Sequence, residues 1–238
     1  MRRRSGTHSC LNGAAVAERL TDKLRAAASA VWDAQAEHPF IRGIGDGSLD
    51  VERFKHWVRQ DYLFLTDYAR MLSLAAARAP DLDAMTRLAE LAHETLTTEM
   101  SLHRAYAEEF GISAEELERE RPAPTCQAYT DFLVRTAATG SFPELVGALL
   151  PCMWGFSDVA QALKRGAQPA DGRYRAWIDM YASREFAALA AWCRELLDRV
   201  GAGLPPSELR AVEDAFVTSC RYEYLFWEMA WKREAWPV

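Results

Sequence analysis

Residues 51–78 read VERFKHWVRQDYLFLTDYARMLSLAAAR. The stretch predicts one long helix, with Asp50 or Ser48 as its N-cap and Pro80 as its stop. Within it Asp61, Phe64, Leu65 and Tyr68 fall on one face through three- and four-residue spacing. A carboxylate on an apolar face needs a partner or a reason, because burying it alone is costly. The same conflict recurs near the C-terminus, where Glu223 shares a face with Phe226, Trp227 and Ala230.

Outward from this helix the pattern stays helical, and strand signals are almost absent. A first helix is expected over Ala14–Ala36, then a loop at Gly43–Gly47. After Pro80 a helix runs from Leu82 to Phe110 and stops at Gly111. Ser113-Ala114-Glu115-Glu116 and Ser141-Phe142-Pro143-Glu144 are capping-box patterns. Between them Pro122 and Pro124 break the chain, Thr125 caps a helix to Ala138, and Gly140 ends it. The helix opened at Ser141 carries Cys152 and closes at Gly166. Helices over Gly172–Val200 and Ser207–Trp236 follow, separated by residues 201–206. The expected fold class is all-α, with about seven or eight helices. Residues 1–13 read as an extension and residues 14–238 as a single helical domain.

Half of the 238 residues are hydrophobic, enough for a sizeable core, and the net charge is −6. That balance, with no basic recognition helix, argues against nucleic acid as a partner. Arg2, Arg3 and Arg4 form the one dense basic run, and no apolar stretch of signal-peptide length follows them. The longest apolar runs are broken by Pro151 or Arg78 and fall short of the ~20 residues of a membrane span, so no membrane partner is expected. The five cysteines are scattered, with no C-x-x-C, which speaks against a disulfide framework or a zinc site and for a cytoplasmic home.

Cys152 lies directly behind Pro151 in Gly147-Ala148-Leu149-Leu150-Pro151-Cys152-Met153-Trp154-Gly155-Phe156. Proline inside a helix lacks an N–H and clashes with the carbonyl four residues back, here Gly147, so a kink is expected at Cys152. On this reading Cys152 is either a buried structural cysteine or a nucleophile in the wall of a pocket. His93, Glu94, Glu99 and His103 are the one cluster of metal-ligand types, and Glu99 and His103 are four residues apart. A dinuclear bundle site needs a second Glu-x-x-His, which is missing, so a hydrogen-bonded pair between helices is the favoured reading and no metal is expected. There is no G-x-S-x-G, phosphate loop or dinucleotide fingerprint.

Four ordered blocks then resemble the thiaminase II (TenA) family: residues 54–61, Glu99-Met100-Ser101-Leu102-His103-Arg104, Leu149-Leu150-Pro151-Cys152, and residues 222–227. The resemblance spans His38 to Trp236. It implies a haem-oxygenase-like helical fold, usually a homotetramer, that needs no cofactor. It also implies an aminopyrimidine aminohydrolase of thiamine salvage, which converts an aminomethyl-pyrimidine, or thiamine, to hydroxymethyl-pyrimidine. Carried over position by position, the resemblance makes Cys152 the nucleophile, Asp61 the acid that anchors the pyrimidine, and Glu223 the proton-transfer acid. Tyr129, Tyr181 and Phe226 match pocket residues. Phe64 and Phe156 stand where well-known members carry tyrosine, so the expected pocket keeps its aromatic walls and loses two hydroxyls near the thiol. Two other readings remain at this point: a metal-dependent oxidative enzyme using Glu99 and His103, and a non-catalytic pyrimidine-binding protein.

Overall fold

The computed structural model describes residues 18–237. The predicted extension over residues 1–13, Cys10 and the first residues of the helix expected from Ala14 lie outside the described residues. In chain order the helices are α1 (Leu20–Ala27), α2 (Ser29–Glu37), α3 (Pro39–Asp46), α4 (Val51–Arg78) and α5 (Leu82–Glu94). A π-turn (Thr95–Glu99) joins α5 to α6 (Met100–Glu109), followed by α7 (Ala114–Arg119) and α8 (Pro124–Thr139). The last four are α9 (Phe142–Lys164), α10 (Gly172–Tyr181), α11 (Arg184–Val200) and α12 (Pro206–Lys232). No strand occurs among the described residues.

The starts of these helices are set by short polar side chains that accept from otherwise orphaned N–H groups. Asp50 caps α4 by accepting from Glu52 N at 2.7 Å, and Asp81 caps α5 by accepting from Ala84 N at 2.8 Å. Ser113 with Glu116 and Ser141 with Glu144 close both arms of their capping boxes. One cap differs from expectation. Pro124 occupies the first helical position of α8, where its missing N–H costs nothing, and Thr125 donates its N–H to Glu234 Oε2 at 2.9 Å instead of capping.

Four boundaries also differ. The first expected helix is split at Ala28 into α1 and α2. The glycine-rich stretch read as a loop is mostly α3, in which Gly43 and Gly45 serve close packing. A Cβ on Gly43 would lie 3.0 Å from Leu49 Cα, and one on Gly45 would lie 2.7 Å from a Leu163 methyl. The turn itself falls to Gly47, whose φ of +79° suits glycine. The helix expected over Leu82–Phe110 is interrupted by the π-turn, and the one over Gly172–Val200 breaks at Ala182–Ser183, where Ser183 caps α11.

Helix α9 is the central element, buried along most of its length and packed chiefly on α12 and α11, with α10 and α8 beside it. It continues through Pro151 as one helix. Near the proline two of its carbonyls accept from neighbouring helices: Ala148 O from Ser219 Oγ (2.7 Å) on α12, and Leu149 O from Tyr68 Oη (3.3 Å) on α4. The segment carrying Cys152 is thereby tied to the two helices that carry Glu223 and Asp61. No helix among the described residues is long and apolar enough to cross a membrane.

Candidate active site

Helix α4 contributes Asp61, Phe64, Leu65 and Tyr68 to a small chamber, as their spacing predicts. Helix α9 contributes Cys152, Met153 and Phe156, and the remaining wall is Glu99, Tyr181 and Phe186. The chamber's volume is about 20 Å³, on the order of one water molecule.

Three of the expected site residues stand directly behind this lining. Phe64 packs on Tyr129 and on Phe226, with ring centroids 5.1 and 5.6 Å apart. Tyr129 donates to Glu223 Oε1 at 2.5 Å and meets Ser219 Oγ at 2.8 Å. All eight expected side chains thus form one connected cluster, with Glu223, Tyr129 and Phe226 outside the chamber proper.

The charges in the cluster are unevenly matched. Asp61 is 4% exposed and its Oδ2 lies 2.6 Å from His103 Nε2, off the ideal direction of the ring N–H. The other ring nitrogen, Nδ1, is 3.0 Å from the Glu99 carbonyl. Burial alone would lower the His103 pKa, but the Asp61 carboxylate and, more weakly, Glu99 outweigh it and raise it. Asp61 and His103 therefore form a buried ion pair, and both imidazole nitrogens are taken up within the protein. The Glu99–His103 pair considered for a metal is engaged in this way, and no three metal-ligating side chains converge among the described residues.

The other two acids have no cation of their own. Burial raises Glu223 to about 8, against the pull of the Tyr129 hydroxyl. Burial likewise raises Glu99 to about 7, although His103 pulls it down. Part of the Glu99 side chain stays open toward solvent. The Cys152 thiol is pushed well above its ordinary value, first by burial and then by Glu223, Glu99 and Asp61. The Tyr68 hydroxyl is the one neighbour that favours the thiolate, and it also lies within hydrogen-bond distance of Leu149 O.

Outside the chamber lies an open groove of about 910 Å³, lined by Leu91, Leu102, Met180 and Leu189 with the acids Glu94 and Glu185. Glu99, Met153, Tyr181 and Phe186 line both the groove and the chamber, and form the partition between them.

A helical bundle with a small, acid-rich chamber against its central helix defines the class. A domain from Shewanella denitrificans described as having a heme oxygenase-like fold superimposes with a TM-score of 0.69 at 17% identity, covering 92% of this chain and 94% of that one. A TenA homologue from P. horikoshii superimposes with a TM-score of 0.84 at 31% identity, covering 90% and 99%. In sequence, an aminopyrimidine aminohydrolase of Halalkalibacterium halodurans is 43% identical over 210 residues, 88% of this chain and 94% of that protein. Residues 25–233 match the TENA/THI-4/PQQC family, and the chain belongs to it.

Sequence reasoning assigned His103 to a metal question and missed it as the partner of Asp61. It also missed Met153 and Phe186 as walls and Ser219 as the link between Tyr129 and α9. An unpaired acid on the apolar face of α4 was the available signal for His103, since such an acid calls for a cation from another helix. Nothing local marks Phe186, which reaches the chamber because Ser183 starts α11 beside it.

Proposed function

We propose that this chain is an aminopyrimidine aminohydrolase that replaces the amine of an aminomethyl-pyrimidine by hydroxyl, with Cys152 as nucleophile, Asp61 as ring anchor and Glu223 as proton-transfer acid. The observation that carries this reading is the convergence of Cys152 and Asp61 on one aromatic-walled chamber, with protonated Glu223 directly behind it, in a member of this family.

The steps follow from the chemistry of the groups. Oδ2 of Asp61 is held by His103, and Oδ1 takes no hydrogen bond from the described residues, which suits it to accept from the amidine-like edge of an aminopyrimidine. Cys152 Sγ adds to the ring carbon next to the one bearing the substituent. The ring gains the proton that the thiol gives up, and Asp61 stabilises the protonated ring. Once the bound ammonium has given one proton to solvent, the electrons placed in the ring expel the amine, which leaves as ammonia with the proton from Glu223. The Glu223 carboxylate then takes a proton from water as the hydroxyl adds to the exocyclic carbon. Expulsion of sulphur returns the ring proton to the thiol and restores the aromatic ring. The net change is one water consumed and one ammonia released.

The resemblance also supports a homotetramer in the cytoplasm, and a solution mass of four chains is the expected result by light scattering. For the chemistry, ammonia release from aminomethyl-pyrimidine is the test. Wild-type protein is expected to turn over, and Cys152→Ala to lose nearly all turnover while remaining folded. Near wild-type hydrolysis by Cys152→Ala would remove the nucleophile from the scheme.

A further inference from the structure

We propose that Glu99 is a specificity residue that recognises the cationic group on the exocyclic carbon of the substrate, at the passage between the chamber and the outer groove. This inference rests on the pyrimidine reading of the chamber and adds a role for a residue that the scheme above does not use.

Three observations point to it. Glu99 is the one acidic side chain that lines both cavities. Asp61, Cys152 and Glu99 line the same small chamber, so a ring seated against the first two has Glu99 in its surroundings, beside Met153, Tyr181 and Phe186. Second, the cluster holds three carboxyls, Asp61, Glu99 and Glu223, and one imidazole, His103, which is already committed to Asp61. With Asp61 paired and Glu223 protonated, Glu99 is the acid left to meet a cationic ligand. The groove repeats this imbalance: it carries Glu94 and Glu185, and its one arginine, Arg87, is shared with Glu90 at 3.0 Å and Glu94 at 3.8 Å. Third, Glu99 is the last residue of the π-turn, a wide turn often found where a helix serves a site. Its carboxyl is only loosely held, with the Tyr181 hydroxyl 3.4 Å from Oε1, and so remains available to a ligand.

The chemistry matches the substrate. A primary aminomethyl group is an ammonium near neutral pH, and a thiazolium is a permanent cation, whereas the hydroxymethyl product is neutral. A carboxylate at this place favours the substrate over the product. Its protonation near pH 7 makes capture improve as pH rises through that region.

The test measures binding without turnover, by calorimetry in the Cys152→Ala background, with aminomethyl-pyrimidine and hydroxymethyl-pyrimidine as probes. Adding Glu99→Gln is expected to weaken the aminomethyl compound about tenfold, the scale of one charge-assisted hydrogen bond, and to leave the hydroxymethyl compound within about twofold. Glu99→Asp is expected to keep part of the preference. The dependence of aminomethyl-pyrimidine affinity on pH near 7 is expected to disappear in Glu99→Gln. Equal weakening of both ligands, or no weakening of either, overturns the role of Glu99 while leaving the pyrimidine reading intact. If the parent variant binds neither compound and the wild type releases no ammonia, the functional reading fails and this inference fails with it. Thermal melts of each variant separate a folding defect from a binding defect, and Glu99→Asp serves if Glu99→Gln fails to fold.

Discussion

The proton on Cys152 is the central difficulty of this site. Burial and three carboxyl neighbours hold the thiol neutral, and the one group that favours its thiolate is the Tyr68 hydroxyl. Tyr68, one turn beyond Phe64 on α4, shares that hydroxyl with Leu149 O. Tyr68→Phe is expected to reduce kcat about 3- to 10-fold, the scale of a single neutral hydrogen bond, with KM little changed, in a steady-state ammonia-release assay. His103 acts on the opposite face of the site. His103→Ala leaves Asp61 buried without its cation, and the expected cost is about 3–5 kcal/mol of stability, measured by urea denaturation. A rise in KM should accompany it, because the orientation of Asp61 depends on that contact.

At the scale of elements, the distance from α9 to α12 governs the relation of Cys152 to Glu223. Gly147 sets that distance: a Cβ there would lie 3.2 Å from both Cγ1 and the backbone O of Val212. Gly147→Ala is expected to cost about 1–3 kcal/mol, read from the urea midpoint, and to lower turnover as α12 is displaced. The helices of this site were legible in sequence to different degrees. The starts of α4, α7 and α9 were legible because Asp50, Ser113 and Ser141 satisfy backbone donors locally, by chemistry visible in a few adjacent residues. The break at Ala28 and the π-turn at Thr95–Glu99 carry no Gly or Pro, and they are set by packing between distant segments. The glycines of α3 were misread because close approach and turn formation both call for glycine, and only Gly47 has the left-handed backbone. Within the site, Asp61, Phe64 and Tyr68 could be grouped by spacing along one helix. The pairing of Asp61 with His103 and the position of Phe186 depend on how separate helices meet.

For the whole molecule, the raised acids predict a stability that falls toward alkaline pH. Glu99 and Glu223 keep protons up to about 7 and about 8 in the folded chain, against an ordinary value of 4.5. Between those limits the unfolded chain binds fewer protons, so the free energy of unfolding decreases as pH rises. His103 has the same sign: its contribution is full below 6.5 and is lost as pH passes its raised folded value. The carboxylates that cap helices, Asp81, Glu116 and Asp171, and Asp46 at the end of α3 are lowered and act oppositely, at acid pH below their ordinary values of 3.8 to 4.5. Burial holds His38 and His56 below their ordinary 6.5, and their contribution is lost as pH falls under that value. Thermal midpoints are therefore expected to be highest at about pH 6 and to fall by about pH 8, with a loss on the order of a few kcal/mol, and Glu223→Gln should flatten the slope. The protonated thiol has one more consequence, for chemical durability. Peroxide attacks thiolates that it can reach, and the resting Cys152, though partly accessible, is held as a protonated thiol by its surroundings. The nucleophile is therefore slow to oxidise while the protein is idle, because its proton and not a barrier protects it.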